Sequence, residues 1–568
     1  MLENKPIIIR NGYVVDPVSG YNLEKMDLMI ENGVFVEKVR GNDPIIINAK
    51  KKIILAGGVD LHTHFAGSKV NLGRLLRPEE HRLRHQFDSL GNHIGTGWAT
   101  PTPALCGHLY CKLGYVKIVE PAVPPIKARH THEEMNETPY VDKMGLLLLG
   151  NSWIVMDLIA ENRLDLLKKY ILWALWASKT YGVKIVAPGS GEAWAWGKSV
   201  TNIDEEIPNF AITPKDIIYN LSKASLEAGL QTPIHLHTNN LGVPGNYQTT
   251  IDSLNATRTL SPSKRSNPFT IHLVHAQFSS YKGDSWKTFA SASDEIAAYI
   301  NNSEHVSFDI GQIIFSNTTT MTADGAWQYT LHRLTGNKWV NMDVENETAS
   351  GIVPYTFKRK NYVNAVQWAV GLELALLVKD PWKITITTDH PNGGAFTSYP
   401  IIIAWLMNKQ FRDSTIEKIN SKAKSTIILP SIQREYTLFE IATVTRSTPA
   451  RILGVKDKAG IITGGPANLA IYDLGDPDKE FEKNPCKIIR GFSQTVYTIK
   501  NGLIIMRDGA PLQPYYGLTY YTGCGCEDEE LTELTDYYFN NYYTVEKENY
   551  IVKDEEIMNP LNILGGVR

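Results

Sequence analysis

Two histidines stand two positions apart at the end of a short apolar segment. The segment is GGVDLHTHF at 57–65, and the histidines are His62 and His64. Side chains on a strand alternate between its two faces, so these two imidazoles point the same way. Converging imidazoles are suitable ligands for a divalent ion such as zinc. The alternative is a pair of ordinary hydrogen-bonded histidines at the end of a strand.

Further candidate ligands close other apolar segments. His237 ends TPIHLH, with His235 two residues before it. His275 ends FTIHLVH, with His272 three residues before it, and Asp389 ends KITITTD. Fifteen histidines scattered over 568 residues would rarely place ligand types at the ends of several segments in this way. The pattern therefore favours a metal site at the point where these segments end.

Lys184 lies inside YGVKIVAPG, which is otherwise an apolar strand-like segment. Burial disfavours the charged form of an amine and lowers its pKa. A neutral amine can react with CO₂ to form a carbamate, which is an anionic ligand able to bridge two metal ions. The alternative is a lysine that reaches solvent along its stem or pairs with a carboxylate.

The segments that carry these residues alternate with helix-like segments. Helices are predicted over 162–182 and 214–230, which end near Gly182 and Gly229. The predicted strands are 53–62, 145–151, 183–189, 232–237, 269–275, 306–315 and 383–389. With an eighth strand near 95–104, the alternation predicts an α/β fold, a (β/α)8 TIM-type barrel whose parallel strands are covered by helices.

Both ends of the sequence are rich in strand-like segments with Asn-Gly turns, at 11–12, 32–33 and 501–502. We therefore expect a small β-sandwich formed by both chain ends. The expected division is 1–56 for its first part, 57–440 for the barrel with an insertion at about 65–150, and 441–515 for its second part. Residues 516–568 are an acidic, Tyr-rich extension, either a surface tail or a docking segment.

The composition excludes several classes of protein. There are 57 Lys and Arg against 60 Asp and Glu, a net charge of −3, which argues against a nucleic-acid-binding protein. Apolar stretches such as 401–407 are far shorter than the ~18 residues of a membrane span. No secretory signal is visible, so we expect a cytoplasmic protein. Five cysteines form no pattern typical of an iron–sulfur cluster.

The ligand pattern resembles that of the amidohydrolase superfamily. That superfamily has H-x-H after strand 1, a carboxylated lysine after strand 4, histidines after strands 5 and 6, and an aspartate after strand 8. The resemblance implies two divalent metal ions, with zinc the expected metal, and Lys184 as N6-carboxylysine. It favours His237 and His275 over their neighbours, with His235 as a second choice. It also implies that the chain ends form a sandwich beside the barrel.

Longer segments resemble the family of amidohydrolase-like subunits of formylmethanofuran dehydrogenase. They are 114–153, 233–247 and 387–400. The resemblance implies that formate, made from CO₂ by a partner subunit with a molybdenum or tungsten pterin, is condensed reversibly with the amine of methanofuran. It implies further iron–sulfur partner subunits, and neither pterin nor iron–sulfur cluster in this chain.

The same resemblance assigns roles to residues. Asp389 is the expected catalytic residue as well as a metal ligand, because it can take and deliver a proton. Asn239 and Asn240, which follow His237, are candidate substrate-binding residues, and the alternative is an ordinary Asx turn. Arg129 is a candidate for binding the carboxylates of methanofuran's tail, and the alternative is a solvated loop. The alternatives are the formyl-methanofuran-hydrolysing component of a formyltransferase/hydrolase complex and a stand-alone cyclic amidohydrolase.

Overall fold

In a computed structural model, eight parallel strands form the centre of the protein. The structure describes residues 5–87, 91, 93–262, 267–341, 350–455, 459–477, 481–525 and 528–564. Barrel strands 1–8 are Gly58–Asp60, Tyr115–Val123, Asp142–Leu148, Gly182–Val186, Ile234–His237, Ile271–Leu273, Val306–Asp309 and Ile384–Thr385. Each pairs in parallel with the next. A parallel bridge between Thr63 and His390 joins the ends of the first and the eighth. The predicted barrel is confirmed.

The barrel strands are buried along their whole length, because one face packs in the barrel and the other lies under helices. The helix Leu164–Ser178 ends at Lys179, which has a left-handed backbone conformation with φ of 51°. The helix Pro214–Glu227 begins at Thr213, whose hydroxyl accepts a hydrogen bond from the amide of Asp216 while the Asp216 carboxylate accepts one in return. Both predicted helices are present, but the first ends at Ser178, and Gly182, its predicted end, begins barrel strand 4.

Barrel strand 2 is not the segment that the sequence predicted. Residues His93–Thr96 pair with His85–Phe87 in a hairpin, and the prediction of a barrel strand over 95–104 is wrong. The strand is Tyr115–Val123, in which all nine residues are buried. Glu120 and Pro121 interrupt its apolar pattern, and this interruption hid the strand.

The two chain ends meet in one nine-stranded sheet. The strand Ile53–Ala56 pairs antiparallel with Leu469–Tyr472, and this pairing joins the two ends. Apolar side chains of both ends share one core cluster, as expected for the sandwich. The strands of this sheet are Ile7–Asp16, Tyr21–Glu31, Val34–Val36, Ile45–Asn48, Ile53–Ala56, Leu469–Tyr472, Tyr497–Lys500, Leu503–Arg507 and Ala510–Pro511.

The C-terminal extension packs on the barrel. Its strand Thr519–Tyr521 pairs in parallel with barrel strand 3 and with Pro560–Asn562. Its helix Glu529–Asn541 buries one face, which includes Leu531 and Tyr538. The acidic start of this helix forms ion pairs with the barrel, including one of 2.6 Å between Glu530 and Arg163.

A small sheet follows barrel strand 7, and residues 317–356 that contain it are here called the cover segment. Its strands are Asn317–Thr322, Val340–Asn341 and Gly351–Thr356, with the helix Gly325–Thr335 between the first two. One further short pair of strands, Tyr281–Lys282 and Ala290–Ser291, precedes it.

The remaining helices surround these sheets, and within the described ranges none is long and apolar enough to cross a membrane. They are Ser68–Leu75, Pro78–Leu83, Pro103–Lys112, Ala128–Asn136, Trp153–Ala160, Ser190–Ala195, Tyr247–Asn255, Ser293–Asn301, Tyr362–Leu377, Tyr399–Met407, Lys409–Ile416, Leu438–Ala442, Thr448–Leu453, Pro485–Phe492 and Lys547–Tyr550.

A buried ion pair links the sandwich to the barrel, and its removal should destabilise the protein. Lys500 Nζ lies 2.7 Å from Asp142 Oδ2, and both side chains are buried. Lys500→Met removes the partner at 2.7 Å and leaves the buried carboxylate a longer ion pair, to Lys117 at 3.7 Å, so we expect the free energy of unfolding to fall by about 1–3 kcal/mol. Denaturant unfolding measures the change.

The control is Lys51→Met, which breaks a surface ion pair with Asp476 and should change the free energy of unfolding by under about 1 kcal/mol. Equal effects of the two substitutions would contradict the prediction.

Candidate metal centre

Three predicted ligands meet at the carboxyl ends of barrel strands 1 and 8. Asp389 Oδ1 lies 3.0 Å from His62 Nε2 and 3.4 Å from His64 Nε2. One ligand atom from each of these residues lies within 4.8 Å of those of the other two. All three are buried, so this cluster is a candidate metal centre.

The other three predicted ligands lie around this cluster. Lys184 Nζ is 3.3 Å from His62 Nε2, and the ring of His275 lies 5.3 Å from that of His62. The rings of His275 and His237 are 4.8 Å apart. Lys184, His237, His275 and Asp389 line one enclosed cavity of about 10 Å³. The structure therefore brings all six predicted ligands together, from barrel strands 1, 4, 5, 6 and 8.

Glu120 of barrel strand 2 orients His64. Its Oε1 lies 2.7 Å from His64 Nδ1. Its Oε2 accepts hydrogen bonds from the backbone amides of Phe65 and Ala66, so the carboxylate is held on both sides. A metal-binding histidine usually donates its other ring N–H to such a carboxylate. This arrangement leaves Nε2 of His64 directed toward Asp389.

Asp309, the last residue of barrel strand 7, does the same for His62. Its Oδ2 lies 3.1 Å from His62 Nδ1 and 3.2 Å from His272 Nε2. Its Oδ1 accepts hydrogen bonds of 2.8 Å from the His275 amide and the Thr387 hydroxyl. This one buried carboxylate thereby fixes the ring of His62 and the backbone of His275, which are two of the predicted ligands.

Asp324 of the cover segment faces the third histidine. Its Oδ2 lies 3.5 Å from Nε2 of His237, and its Oδ1 accepts a hydrogen bond of 3.0 Å from the Trp327 amide. The side chain of Asp324 is only 6% exposed. His62, His64 and His237 thus each have a buried carboxylate close to one ring nitrogen.

Electrostatics also suit a cationic group. Burial lowers the pKa of His237 and His275, so both imidazoles are neutral at pH 7, which is the form that binds metals. Burial likewise lowers the pKa of Lys184 to about 8. Nδ1 of His275 is buried and has no hydrogen-bond partner among the described residues. The donor set of imidazoles, a carboxylate and a lysine therefore fits divalent ions.

His235 and His272 lie one layer deeper in the barrel. His235 Nε2 lies 3.2 Å from the Thr232 hydroxyl, and its ring lies 4.7 Å from that of His272. His272 is bound by Ser307 at 2.9 Å and by Asp309. This position favours His237 over His235 as the ligand from barrel strand 5.

Comparisons with known proteins indicate the family to which this chain belongs. The sequence matches the amidohydrolase family over residues 46–506. Protein FwdA of Methanocaldococcus jannaschii is 41% identical over 555 residues, which cover 96% of this chain and 97% of FwdA. The FhcA chain of the formyltransferase/hydrolase complex Fhc of Methylorubrum extorquens is 33% identical over 518 residues, 90% of each chain.

The chain belongs to the amidohydrolase family, in the group of FwdA. A chain of the crystal structure of FhcABCD from Methylorubrum extorquens, in complex with methylofuran, superposes with a TM-score of 0.88 at 30% identity. The superposition covers 98% of this amidohydrolase and 99% of that chain. The resemblance to the amidohydrolase-like subunits of formylmethanofuran dehydrogenase is confirmed, and the chain is an amidohydrolase-type, metal-dependent enzyme subunit.

The three predicted substrate-binding residues of this amidohydrolase have different surroundings. Asn239 is buried, donates a hydrogen bond of 3.1 Å to the Pro188 carbonyl and has an Oδ1 without a hydrogen-bond partner among the described residues. Asn240 instead donates hydrogen bonds to the Thr201 carbonyl and the Thr249 hydroxyl.

Arg129 lies at the junction with the C-terminal extension. It forms an ion pair with Glu556 and donates a hydrogen bond of 2.9 Å to the Ile551 carbonyl. Neither contact belongs to the cavity that the ligands line, so the structure does not bring Arg129 to the metal centre.

Sequence reasoning missed the three orienting carboxylates. Glu120 and Asp309 each interrupt or end an apolar strand, which is the same signal that identified Lys184. Asp324 gives no such signal, because it lies in the cover segment, after a strand rich in threonine.

Asp309→Asn should weaken metal binding while the barrel remains folded. Asparagine cannot accept hydrogen bonds from His62, His272, the His275 amide and Thr387 with the same two oxygens, so His62 loses its fixed orientation. We expect a 10- to 100-fold loss of metal affinity, measured by competition with a chromogenic chelator.

The matched control is Asp294→Asn, which breaks a surface pair with Lys282 and should leave the affinity unchanged. An unchanged affinity in Asp309→Asn, with unchanged circular dichroism, would show that Asp309 does not orient a ligand.

Proposed function

We propose that this chain is the component of a formylmethanofuran dehydrogenase that condenses formate with the amine of methanofuran to give N-formylmethanofuran, reversibly. The formate would be made from CO₂ by a partner subunit that carries a molybdenum or tungsten pterin, with electrons passed by iron–sulfur subunits. The 41% sequence identity to FwdA over 96% of this chain supports the proposal.

The observation that carries the proposal is the convergence of six ligand-type side chains in one buried cluster. His62, His64, Lys184, His237, His275 and Asp389 would hold two divalent ions, with zinc the expected metal and Lys184 as a bridging N6-carboxylysine. Such ions lower the pKa of bound water toward about 7 and polarise a carbonyl or carboxylate oxygen. The burial of Lys184 and its position 3.3 Å from His62 Nε2 support its role as a ligand.

Asp389 is the proposed catalytic residue. Its Oδ1 accepts a hydrogen bond of 2.9 Å from Asn392 Nδ2, and the amide of Met321 in turn donates to the Asn392 Oδ1. The carboxylate is therefore fixed in the cavity. In condensation it would take a proton from the ammonium of the incoming amine and later deliver one to the departing formate oxygen. In hydrolysis the same transfers run in reverse.

The enclosure of the cavity supports a role in amide formation. Amide formation from free formate is unfavourable in water, and a dry site holds the reactants at high effective concentration. The cavity of about 10 Å³ has room for about one water molecule. The candidate ligands are themselves buried, which limits the contact of the reacting groups with bulk water.

A second candidate is hydrolysis of formyl-methanofuran in a formyltransferase/hydrolase complex. The TM-score of 0.88 to a chain of FhcABCD favours it. The two functions use the same site in opposite directions and differ in partners. Purification of the native complex separates them, because only the dehydrogenase contains a molybdenum or tungsten pterin.

Lys184→Ala should abolish formate release from N-formylmethanofuran by the purified, zinc-loaded chain. The reason is that alanine supplies no bridging carbamate between the two ions. Formate release is measured directly, and intact mass spectrometry of the wild type should show one added carboxyl group. Lys215→Ala, a substitution in a surface ion pair with Asp204, is the control and should retain full activity.

Two outcomes would count against the proposal. Full activity of Lys184→Ala would exclude a carboxylysine-dependent site. Release of no formate by metal-loaded wild type, together with turnover of cyclic amides, would instead indicate a stand-alone cyclic amidohydrolase.

Asp389→Asn should abolish turnover and leave the fold intact. The amide is nearly isosteric with the carboxylate, but it cannot accept and return a proton. Formate release gives the activity, and circular dichroism reports the fold. Retained turnover in this variant would assign the proton transfers to another group.

A further inference from the structure

Four neighbouring aromatic side chains connect the C-terminal extension with the residues that follow barrel strand 4. The rings of Tyr537 and Tyr542 are 5.7 Å apart, and the ring of Tyr542 lies 6.1 Å from that of Trp153. The carboxylate of Glu192 accepts hydrogen bonds from the indole N–H groups of Trp153 and Trp196, at 3.0 and 2.7 Å. Tyr537, Tyr542, Trp153 and Trp196 are here called the aromatic strip.

The aromatic strip is open to solvent. The exposed fractions are 53% for Tyr537, 49% for Tyr542 and 62% for Trp196, and Trp153 is half-buried. Tyr and Trp are enriched in protein interfaces, because they bury a large area at a small cost in conformational entropy. None of these four residues lines the cavity at the metal ligands. Their exposure therefore indicates a surface for a partner and not a part of the reaction site.

The helix Glu529–Asn541 is held on the barrel by its inner face. The Tyr538 hydroxyl donates a hydrogen bond to Asp157, and the rings of Phe539 and Tyr550 lie 4.7 Å apart. These contacts anchor the helix. The outer face, which carries Tyr537, is left to solvent.

Two carboxylates extend the strip along the outer face of this helix. Glu529, Glu533 and Tyr537 are spaced by four residues, so they lie on one line along the helix. Both glutamates are exposed, and neither forms an ion pair within the part of the chain that the structure describes. Like charges four residues apart destabilise a helix, so this pair has a cost that a bound cation would remove.

The basic side chains near the start of this helix are already paired. Arg163 lies 2.6 Å from Glu530, and Lys169 lies 2.5 Å from Asp528. The extension at 516–568 is itself acidic. A protein cation for the two unpaired glutamates would therefore come from a partner.

We propose that the aromatic strip and the adjoining glutamates dock a basic segment of a partner subunit, one that carries arginine side chains. A guanidinium stacks on the face of a Tyr or Trp ring and pairs with a carboxylate through two parallel hydrogen bonds. The strip and the glutamates offer both kinds of contact side by side. The inference rests on the proposed function only in taking the partner to be a subunit of the same complex.

A second copy of this chain is a poorer occupant of this surface. In a two-fold dimer the same patch would contact itself. That contact would bring Glu529 and Glu533 of two copies together, and like charges across an interface weaken association. The charge of the surface therefore favours a basic partner.

The test is the affinity of the labelled, full-length chain for the other subunits of its complex, purified together without it. Glu529→Gln combined with Glu533→Gln removes both charges and keeps the helix. We expect the dissociation constant to rise about ten-fold or more and to depend less on salt concentration, because the ionic part of the contact is lost. Glu24→Gln combined with Glu37→Gln, at two exposed glutamates of the β-sandwich, is the matched control and should bind as the wild type does.

Two substitutions of Tyr537 test the role of the ring. Tyr537→Ala should also raise the dissociation constant, whereas Tyr537→Phe keeps a ring of the same size and should bind within about two-fold of wild type. Circular dichroism and formate release from N-formylmethanofuran should be the same for all of these variants as for the wild-type chain, since their positions lie outside the cavity at the metal ligands.

Absence of binding by the wild type, unchanged affinity in the double glutamine variant, or an equal loss in the control would overturn the inference. Self-association of the wild-type chain that the double variant abolishes would also overturn it, since the strip would then join two copies of this chain. Failure of the proposed function looks different. In that case the wild type releases no formate, while the substitutions still weaken its binding to the partners.

Discussion

The carboxylate of Asp309 is the contact on which the arrangement of the metal centre depends. Its two oxygens meet the rings of His62 and His272, the backbone amide of His275 and the hydroxyl of Thr387. These partners come from barrel strands 1, 6 and 8 or from the turns that follow them. A fully buried anion is stable only when all of its partners are in place. The ring of strands and the ligand cluster must therefore form together.

Glu120 and Asp324 extend the same principle to His64 and His237. Glu120 Oε1 lies 2.7 Å from His64 Nδ1 and fixes this ring before any ion binds. Asp324 Oδ2 lies 3.5 Å from His237 Nε2, which has no hydrogen-bond partner among the described residues. The orienting carboxylates also add negative charge around a site suited to cations. Asp324 belongs to the cover segment, so the seating of this segment and the position of His237 depend on each other.

The ligand cluster and the cover segment are different parts of the chain. The ligand cluster lies on barrel strands and their ends, which the amidohydrolase family shares across many substrates. The cover segment, which lies outside the barrel strands, contributes half of the residues that line an apolar groove of about 200 Å³.

The sequence by itself determined the barrel and the positions of the candidate ligands, because these depend on local patterns. His62, His64, Lys184, His237 and Asp389 each stand in or at the end of an apolar segment, and parallel strands bring such ends to one face. The sequence did not predict barrel strand 2, because Glu120 and Pro121 interrupt its apolar pattern. Tertiary structure alone decided which carboxylate orients which histidine. His62 and Asp309 are 247 positions apart in the sequence, and no local sequence pattern predicts a contact between residues so far apart. The contacts of Arg129 with the C-terminal extension were likewise decided by the tertiary structure.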